Sequence, residues 1–145
     1  MAALTTPHAR LPFDVLVVDD DEDVRDLIVS FFHDRALSVT AAQDGRAAVL
    51  ALERSAGRYG LVVTDVNLPG DDDFAVLDAA RRANLSCYVV VVTGYASLDS
   101  AIQAVRGGAY DYLPKPFSLG QLDVIVSRVA DRTALEDENR RLWST

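Results

Sequence analysis

The chain has 145 residues, of which half are hydrophobic and a quarter are charged, and this balance is typical of one folded domain rather than of a disordered chain. Its 22 acidic and 14 basic residues give a formal net charge of −8, which disfavours direct binding to nucleic acid because the phosphate backbone would repel it. No apolar run is long enough to span a membrane and residues 1–13 lack the basic and apolar regions of a signal peptide, so we expect a cytoplasmic protein with no membrane partner.

Short apolar runs alternate with segments of helical period along the chain. The runs are rich in β-branched residues, and the first, Val15–Val18, lacks polar alternation, which is typical of a parallel strand covered on both faces. The five predicted strands are Val15–Val18, Ser38–Ala42, Leu61–Thr64, Tyr88–Val92 and Tyr110–Leu113, the last ended by Pro114 and Pro116. The five predicted helices begin at Asp21 or Glu22, Ala47, Asp73, Ser97 and near Ser118, and the last of them can continue to the end of the chain.

This alternation predicts a doubly wound α/β fold. Five strands and five helices joined by short loops require right-handed crossovers, and therefore a parallel sheet. In such sheets, ligands bind at the edge where the carboxyl ends of the strands meet. We therefore expect the functional site at that edge.

Polar residues stand at four of the predicted strand ends. The first strand is followed by Asp19 and Asp20, the third by Asp65, the fourth by Thr93, and the fifth leads into Lys115. Crowded carboxylates repel one another, and Mg²⁺ is the hard cation that suits an all-oxygen site. A carboxylate beside Mg²⁺ can attack phosphorus, while an ammonium and a hydroxyl can contact the transferred group. The pattern thus indicates phosphoryl transfer to an aspartate.

Four segments carry a resemblance to a known family. Val17–Asp21 (VVDDD), Val63–Pro69 (VTDVNLP), Val92–Tyr95 (VTGY) and Lys115–Phe117 (KPF) resemble, in order and spacing, the signature segments of response-regulator receiver domains of two-component signalling. The resemblance covers about residues 13–130. It implies a flavodoxin-like sheet of strand order 2-1-3-4-5 with an extended last helix. Residues 110–117 and the last helix are most similar to receivers of enhancer-binding transcription activators.

The resemblance implies a role for each acidic residue. Asp65 would take a phosphoryl group from a phosphohistidine on a histidine kinase. Asp20 and Asp65 would bind Mg²⁺ directly together with the backbone carbonyl of Asn67, and Asp19 would act through water. The chain would then be a phosphoacceptor that catalyses its own phosphorylation and slow dephosphorylation, and not an enzyme acting on other substrates.

The resemblance also implies how phosphorylation is read out. Thr93 and Lys115 would contact the phosphoryl oxygens, and a cis peptide bond between Lys115 and Pro116 would direct the lysine inward. Movement of Thr93 toward the phosphoryl group would vacate space that Tyr112 can fill. Phosphorylation would thus shift a population between two conformations.

Two alternative functions stay open from the sequence. In the first, the chain is a pseudo-receiver that serves only as a dimerisation module, which is favoured by Asp73 at a position where the family usually has glycine. In the second, it is a phosphatase of the haloacid dehalogenase type. Asp19 would then be the nucleophile and Asp21 the acid/base, and Asp65 would have no role.

The sequence predicts three segments. Residues 1–13 form a flexible tail, residues 14–130 the receiver, and residues 131–145 a helical linker in which Leu135 and Leu142 are seven apart, as in a short coiled coil. A homodimer through the receiver and the last helix is therefore expected. The output domain, expected to act in transcription regulation, is not in this chain, which we interpret as part of a longer protein.

Overall fold

The computed structural model describes residues 11–66, 74–94 and 98–143 of the chain. Within these ranges, five strands alternate with five helices. They are β1 (Asp14–Val18), α1 (Glu22–His33), β2 (Val39–Ala42), α2 (Gly45–Glu53), β3 (Tyr59–Thr64), α3 (Ala75–Ala83), β4 (Tyr88–Thr93), α4 (Leu98–Arg106), β5 (Asp111–Pro114) and α5 (Leu119–Trp143). The sheet is parallel, with the order β2-β1-β3-β4-β5. The predicted fold and strand order are confirmed.

Both faces of the sheet are covered, and this explains why the central strands are apolar throughout. Leu16 and Val18 of β1 belong to a buried cluster shared with α2, α3 and α4. Val15 and Val17, which point the other way, belong to a cluster shared with α1 and α5. Each fully buried Val or Leu side chain contributes about 1.5–3 kcal/mol of transfer free energy. Among the described helices, none combines the length and the apolar character needed to cross a membrane.

Aspartates fix the starts of α1 and α2. The Asp21 carboxylate accepts hydrogen bonds from the backbone N–H groups of Asp23 and Val24, and the Asp44 carboxylate accepts one from Ala47. α2 therefore begins at Gly45, two residues before the predicted start. The cap at Asp21 leaves only Asp19 and Asp20 between β1 and the helix cap.

Pro114 lies inside β5, although the prediction ended that strand before the proline. β5 is an edge strand, and sheet edges tolerate proline because one side of the strand faces no neighbour. The next residue compensates for the missing donor, since the N–H of Lys115 donates to the carbonyl oxygen of Thr93 at 2.8 Å. This bond also ties Lys115 to the end of β4.

Two residues of the segment that the sequence analysis assigns to the N-terminal tail contact the rest of the domain. Leu11 is only 8% exposed and belongs to the cluster under α1 and α5. Phe13 packs so closely against Gly60 that a Cβ atom at position 60 would overlap its ring. Leu11 and Phe13 lie outside any periodic run, so the sequence pattern did not assign them to the core.

The lone cysteine is structural and is expected to be unreactive. Cys87 is 5% exposed, and burial raises the pKa of its thiol to about 12, although nearby Arg81 partly opposes this. Because the thiolate is the nucleophile, very little reactive species exists near pH 8. We expect no labelling by a thiol reagent in the native state and complete labelling in denaturant, measured by absorbance. Rapid stoichiometric labelling of the folded protein would contradict this assignment.

Candidate functional site

Three carboxylates meet at the carboxyl ends of β1 and β3. β1 pairs with β3 so that Val18 lies opposite Thr64, and the Asp65 N–H donates to the Val18 carbonyl at 3.0 Å. One carboxylate oxygen from each of Asp19, Asp20 and Asp65 lies within 4.8 Å of the other two. Asp19 and Asp65 are buried and Asp20 is exposed, so the cluster has one side open to solvent.

Lys115 bridges the two buried carboxylates. Its Nζ atom lies 2.8 Å from Asp19 Oδ2 and 2.9 Å from Asp65 Oδ2. The peptide bond between Lys115 and Pro116 is cis. The sequence-predicted lysine and the three aspartates therefore form one constellation.

Burial controls the electrostatics of this constellation. Burial raises the pKa of Asp19, and this outweighs the hydrogen bonds with Lys115 and the Asp21 N–H. Burial lowers the pKa of Lys115, but the hydrogen bonds with Asp19 and Asp65 and their charges outweigh this effect and raise it. Both pKa values are therefore raised, but the consequences are opposite, because a higher pKa disfavours the charged form of the Asp19 carboxyl and favours the charged form of the Lys115 amine. The contacts of Lys115 thus stabilise its ammonium form. The contacts of Asp19 do not fully offset the cost of burying its negative charge.

Thr93 offers a buried hydroxyl at the same edge. Thr93 is fully buried at the end of β4, and its Oγ1 has no hydrogen-bond partner among the described residues. An unsatisfied buried hydroxyl costs about 1–3 kcal/mol, so it gains when a ligand oxygen comes within reach. A Cβ atom at Gly94 would meet no atom of the described residues within 4 Å.

The remaining predicted residues divide into two groups. Tyr112 is half-buried on β5 and packs against the cluster under α2, α3 and α4. Asn67, the predicted source of a backbone carbonyl ligand, lies outside the described residues, as does Asp73.

Asp21 is occupied by a structural role. Its Oδ1 accepts hydrogen bonds from the N–H groups of Asp23 at 3.0 Å and Val24 at 3.3 Å. The phosphatase alternative requires this carboxylate as an acid/base next to a nucleophilic Asp19. The geometry instead commits Asp21 to capping α1.

Arg25 is a residue near the site that the sequence analysis did not single out. Its Nη1 atom donates to the backbone carbonyl of Asp19 at 3.0 Å. The sequence feature that could have identified it is a basic residue four positions after Asp21, the N-cap of the helix that directly follows Asp19 and Asp20.

Comparison with known proteins agrees with this geometry. Residues 15–127 match the family model described as the response regulator receiver domain. The nitrogen assimilation regulatory protein NtrX of Azorhizobium caulinodans is 33% identical over 131 residues, which cover 89% of this chain and 28% of that protein. The C4-dicarboxylate transport transcriptional regulatory protein DctD of Pseudomonas aeruginosa is 34% identical over 135 residues, covering 90% and 29%.

A solved structure is similar in both sequence and fold. The crystal structure of the receiver domain of NtrX from Brucella abortus superposes with a TM-score of 0.72 at 33% identity, covering 81% of this chain and 98% of that one. The chain thus spans nearly all of that receiver structure but less than a third of the length of these two curated relatives.

Proposed function

The chain belongs to the response regulator receiver domain family, and from this premise we propose that it accepts a phosphoryl group on Asp65 from the phosphohistidine of a histidine kinase. The observation that carries the proposal is the clustering of the Asp19, Asp20 and Asp65 carboxylates with Lys115 Nζ 2.9 Å from Asp65 Oδ2. In the reaction, a carboxylate oxygen of Asp65 forms a bond to phosphorus. The phosphorus–nitrogen bond of the donor breaks and its electron pair stays on the imidazole.

The donor set fits Mg²⁺. The three side chains offer only carboxylate oxygens, which are the ligands that a hard divalent cation prefers, and the burial of Asp19 leaves negative charge that a cation would offset. Asp20 and Asp65 would bind Mg²⁺ directly with the carbonyl of Asn67, and Asp19 would bind through water. When bound, the cation offsets charge on the phosphoryl oxygens during transfer.

Thr93 and Lys115 hold the transferred group in this proposal. The buried Thr93 hydroxyl donates to one phosphoryl oxygen. The Lys115 ammonium gives up a carboxylate contact and donates to a second phosphoryl oxygen. Once Thr93 turns toward the phosphoryl group, Tyr112 moves inward from its half-buried position and the surface around β5 changes. The chain itself slowly releases the phosphoryl group to water, which resets the switch.

Exposure to a small phosphodonor tests the proposal directly. The purified chain is incubated with acetyl phosphate and Mg²⁺, and intact mass spectrometry counts the added phosphoryl groups. We expect one phosphoryl group per chain that hydroxylamine removes, as is typical of an acyl phosphate. If neither this donor nor beryllofluoride changes the mass, the fluorescence or the oligomeric state, the chain acts as the phosphorylation-independent dimerisation module instead.

The far part of α5 supports a second element of the proposal, a dimer through the last helix. The buried residues of α5 end at Ala130, and the helix continues to Trp143. The Tyr88 hydroxyl donates to Glu136 and holds the part of α5 beyond Ala130 against the start of β4. Leu135 and Leu142 are 64% and 68% exposed, one heptad apart, so they are available to a second copy. In the longer protein, this helix would lead to an output domain that controls transcription.

Substitution of both leucines tests the dimer. Leu135→Asp with Leu142→Asp is expected to weaken self-association at least about tenfold, because two apolar contacts per chain are replaced by charge. Sedimentation velocity with and without beryllofluoride gives the association constants. Leu85→Asp, which changes an even more exposed leucine in the loop before β4, is the control. Equal association of the double variant and the control would refute the role of the helix.

A further inference from the structure

The backbone between β1 and α1 is held by the sheet only up to Asp19. The Val18 carbonyl accepts from the Asp65 N–H at 3.0 Å, and the Asp19 N–H donates to the Ala42 carbonyl at 3.2 Å. The next fixed point is Asp21, whose carboxylate caps α1. Asp20 therefore stands between the last residue held by the ladder and the first residue held by the helix.

Arg25 anchors this short connection at the carbonyl of Asp19. Its own N–H donates to the Asp21 carbonyl at 2.9 Å, so its backbone belongs to the first turn of α1. Its side chain is half-buried and turns back toward β1, where Nη1 donates to the Asp19 carbonyl oxygen at 3.0 Å. A guanidinium that bonds a carbonyl makes a charge-assisted contact, about twice as strong as a neutral one.

This contact fixes the direction in which Asp20 leaves the strand. The peptide unit is planar, so the Asp19 carbonyl oxygen and the nitrogen and Cα atoms of Asp20 lie in one plane. When Arg25 holds the oxygen, it also sets the orientation of that plane. The Asp20 carboxylate is exposed, and the neighbouring Asp19 carboxylate is separately held by the Asp21 N–H and Lys115.

We infer that Arg25 is a positioning residue that holds the Asp20 carboxylate in place to bind Mg²⁺. The inference rests on the proposed function, because it assumes that Asp20 is a ligand. Outer contacts that orient metal ligands typically change metal affinity by about 10–100-fold when they are removed. We expect a loss of this size without Arg25.

Charge and geometry predict opposite effects for the same substitution. A guanidinium next to the cluster repels a cation, so a purely electrostatic role would make Mg²⁺ bind more tightly once Arg25 is neutralised. A positioning role makes Mg²⁺ bind more weakly. The sign of the change in affinity therefore distinguishes the two roles.

The test compares Arg25→Met, Arg25→Lys and Arg54→Met with the parent chain. Arg54 is an exposed arginine at the other end of the fold, at the C-cap of α2, and serves as the control. Thermal unfolding across a series of MgCl₂ concentrations gives an apparent dissociation constant for each protein, without use of the phosphorylation reaction. Circular dichroism in the absence of Mg²⁺ checks that each variant is folded.

We expect Arg25→Met to raise the apparent dissociation constant about 10–100-fold. Arg25→Lys keeps a donor on a shorter stem and should fall between Arg25→Met and the parent, while Arg54→Met should match the parent. Saturating Mg²⁺ should restore the phosphorylation rate of both Arg25 variants.

Unchanged or tighter binding by Arg25→Met would overturn the inference, as would an equal loss in Arg54→Met. If the parent chain itself shows no stabilisation by Mg²⁺, the proposed function fails as well. If the parent is stabilised and Arg25→Met behaves like it, only the role of Arg25 fails. If Arg25→Met does not fold, Arg25→Lys still decides the question. Weaker Mg²⁺ binding by Arg25→Lys than by the parent chain would support the positioning role, and equal binding would overturn it, because the lysine keeps the positive charge.

Discussion

Replacement of Asp65 by asparagine is expected to abolish phosphorylation and to leave the fold intact. An amide oxygen carries no full negative charge, so it is a poor nucleophile toward phosphorus, yet it has nearly the size and shape of the carboxylate. The backbone N–H of residue 65 keeps its bond to the Val18 carbonyl, and Lys115 keeps its contact with Asp19. Labelling with a radioactive phosphodonor and thermal unfolding measure the two expectations.

A matched substitution shows whether the loss is specific. Asp78 is an exposed aspartate in the first turn of α3, and Asp78→Asn removes the same charge away from the site. This control should be phosphorylated like the parent chain. Labelling of Asp65→Asn at the parent rate would refute Asp65 as the acceptor.

Removal of divalent cations is expected to have the second large effect. With a chelator present, no divalent cation joins Lys115 in offsetting the repulsion between the acidic cluster and an incoming phosphoryl group, so the phosphorylation rate should fall by about 10²-fold or more. Conversely, Mg²⁺ at about 100 times its dissociation constant should raise the free energy of unfolding by about 2.7 kcal/mol. Phosphorylation assays and chemical denaturation with and without chelator measure these effects.

Asp20→Asn is the variant that links this effect to a ligand. The substitution removes one charged donor from the cluster, so a higher Mg²⁺ concentration should be needed for half-maximal phosphorylation, with Asp26→Asn on the exposed face of α1 as the control. A phosphorylation rate that does not change on chelation would mean that the carboxylates act without a metal.

The sequence predicted the fold, and it predicted that the acidic residues and Lys115 would lie together at one edge of the sheet. Runs such as Tyr88–Val92 are apolar because both sheet faces are buried. Such runs can be recognised in the sequence alone. Asp19, Asp65 and Lys115 were identifiable because each directly follows, or lies just beyond, such a run. Parallel pairing then brings these ends together.

The details that the sequence did not predict depend on contacts between distant side chains. The bond from Tyr88 to Glu136 joins residues 48 apart, and nothing in either local pattern indicates it. Phe13 against Gly60 is a similar case, because the lack of a side chain at position 60 has meaning only once the phenyl ring is in place. Pro114 was misassigned because a proline ends most strands, and only its place on an edge strand makes it acceptable.

Chemical trapping of the phosphorylated residue tests the central claim most directly. The chain is phosphorylated with acetyl phosphate and Mg²⁺, reduced with borohydride, which converts an aspartyl phosphate to homoserine, and digested for peptide sequencing by mass spectrometry. We predict homoserine at position 65 alone. Homoserine at position 19 would show instead that the chain uses the nucleophile of the phosphatase alternative, and that the constellation around Asp65 has been misread.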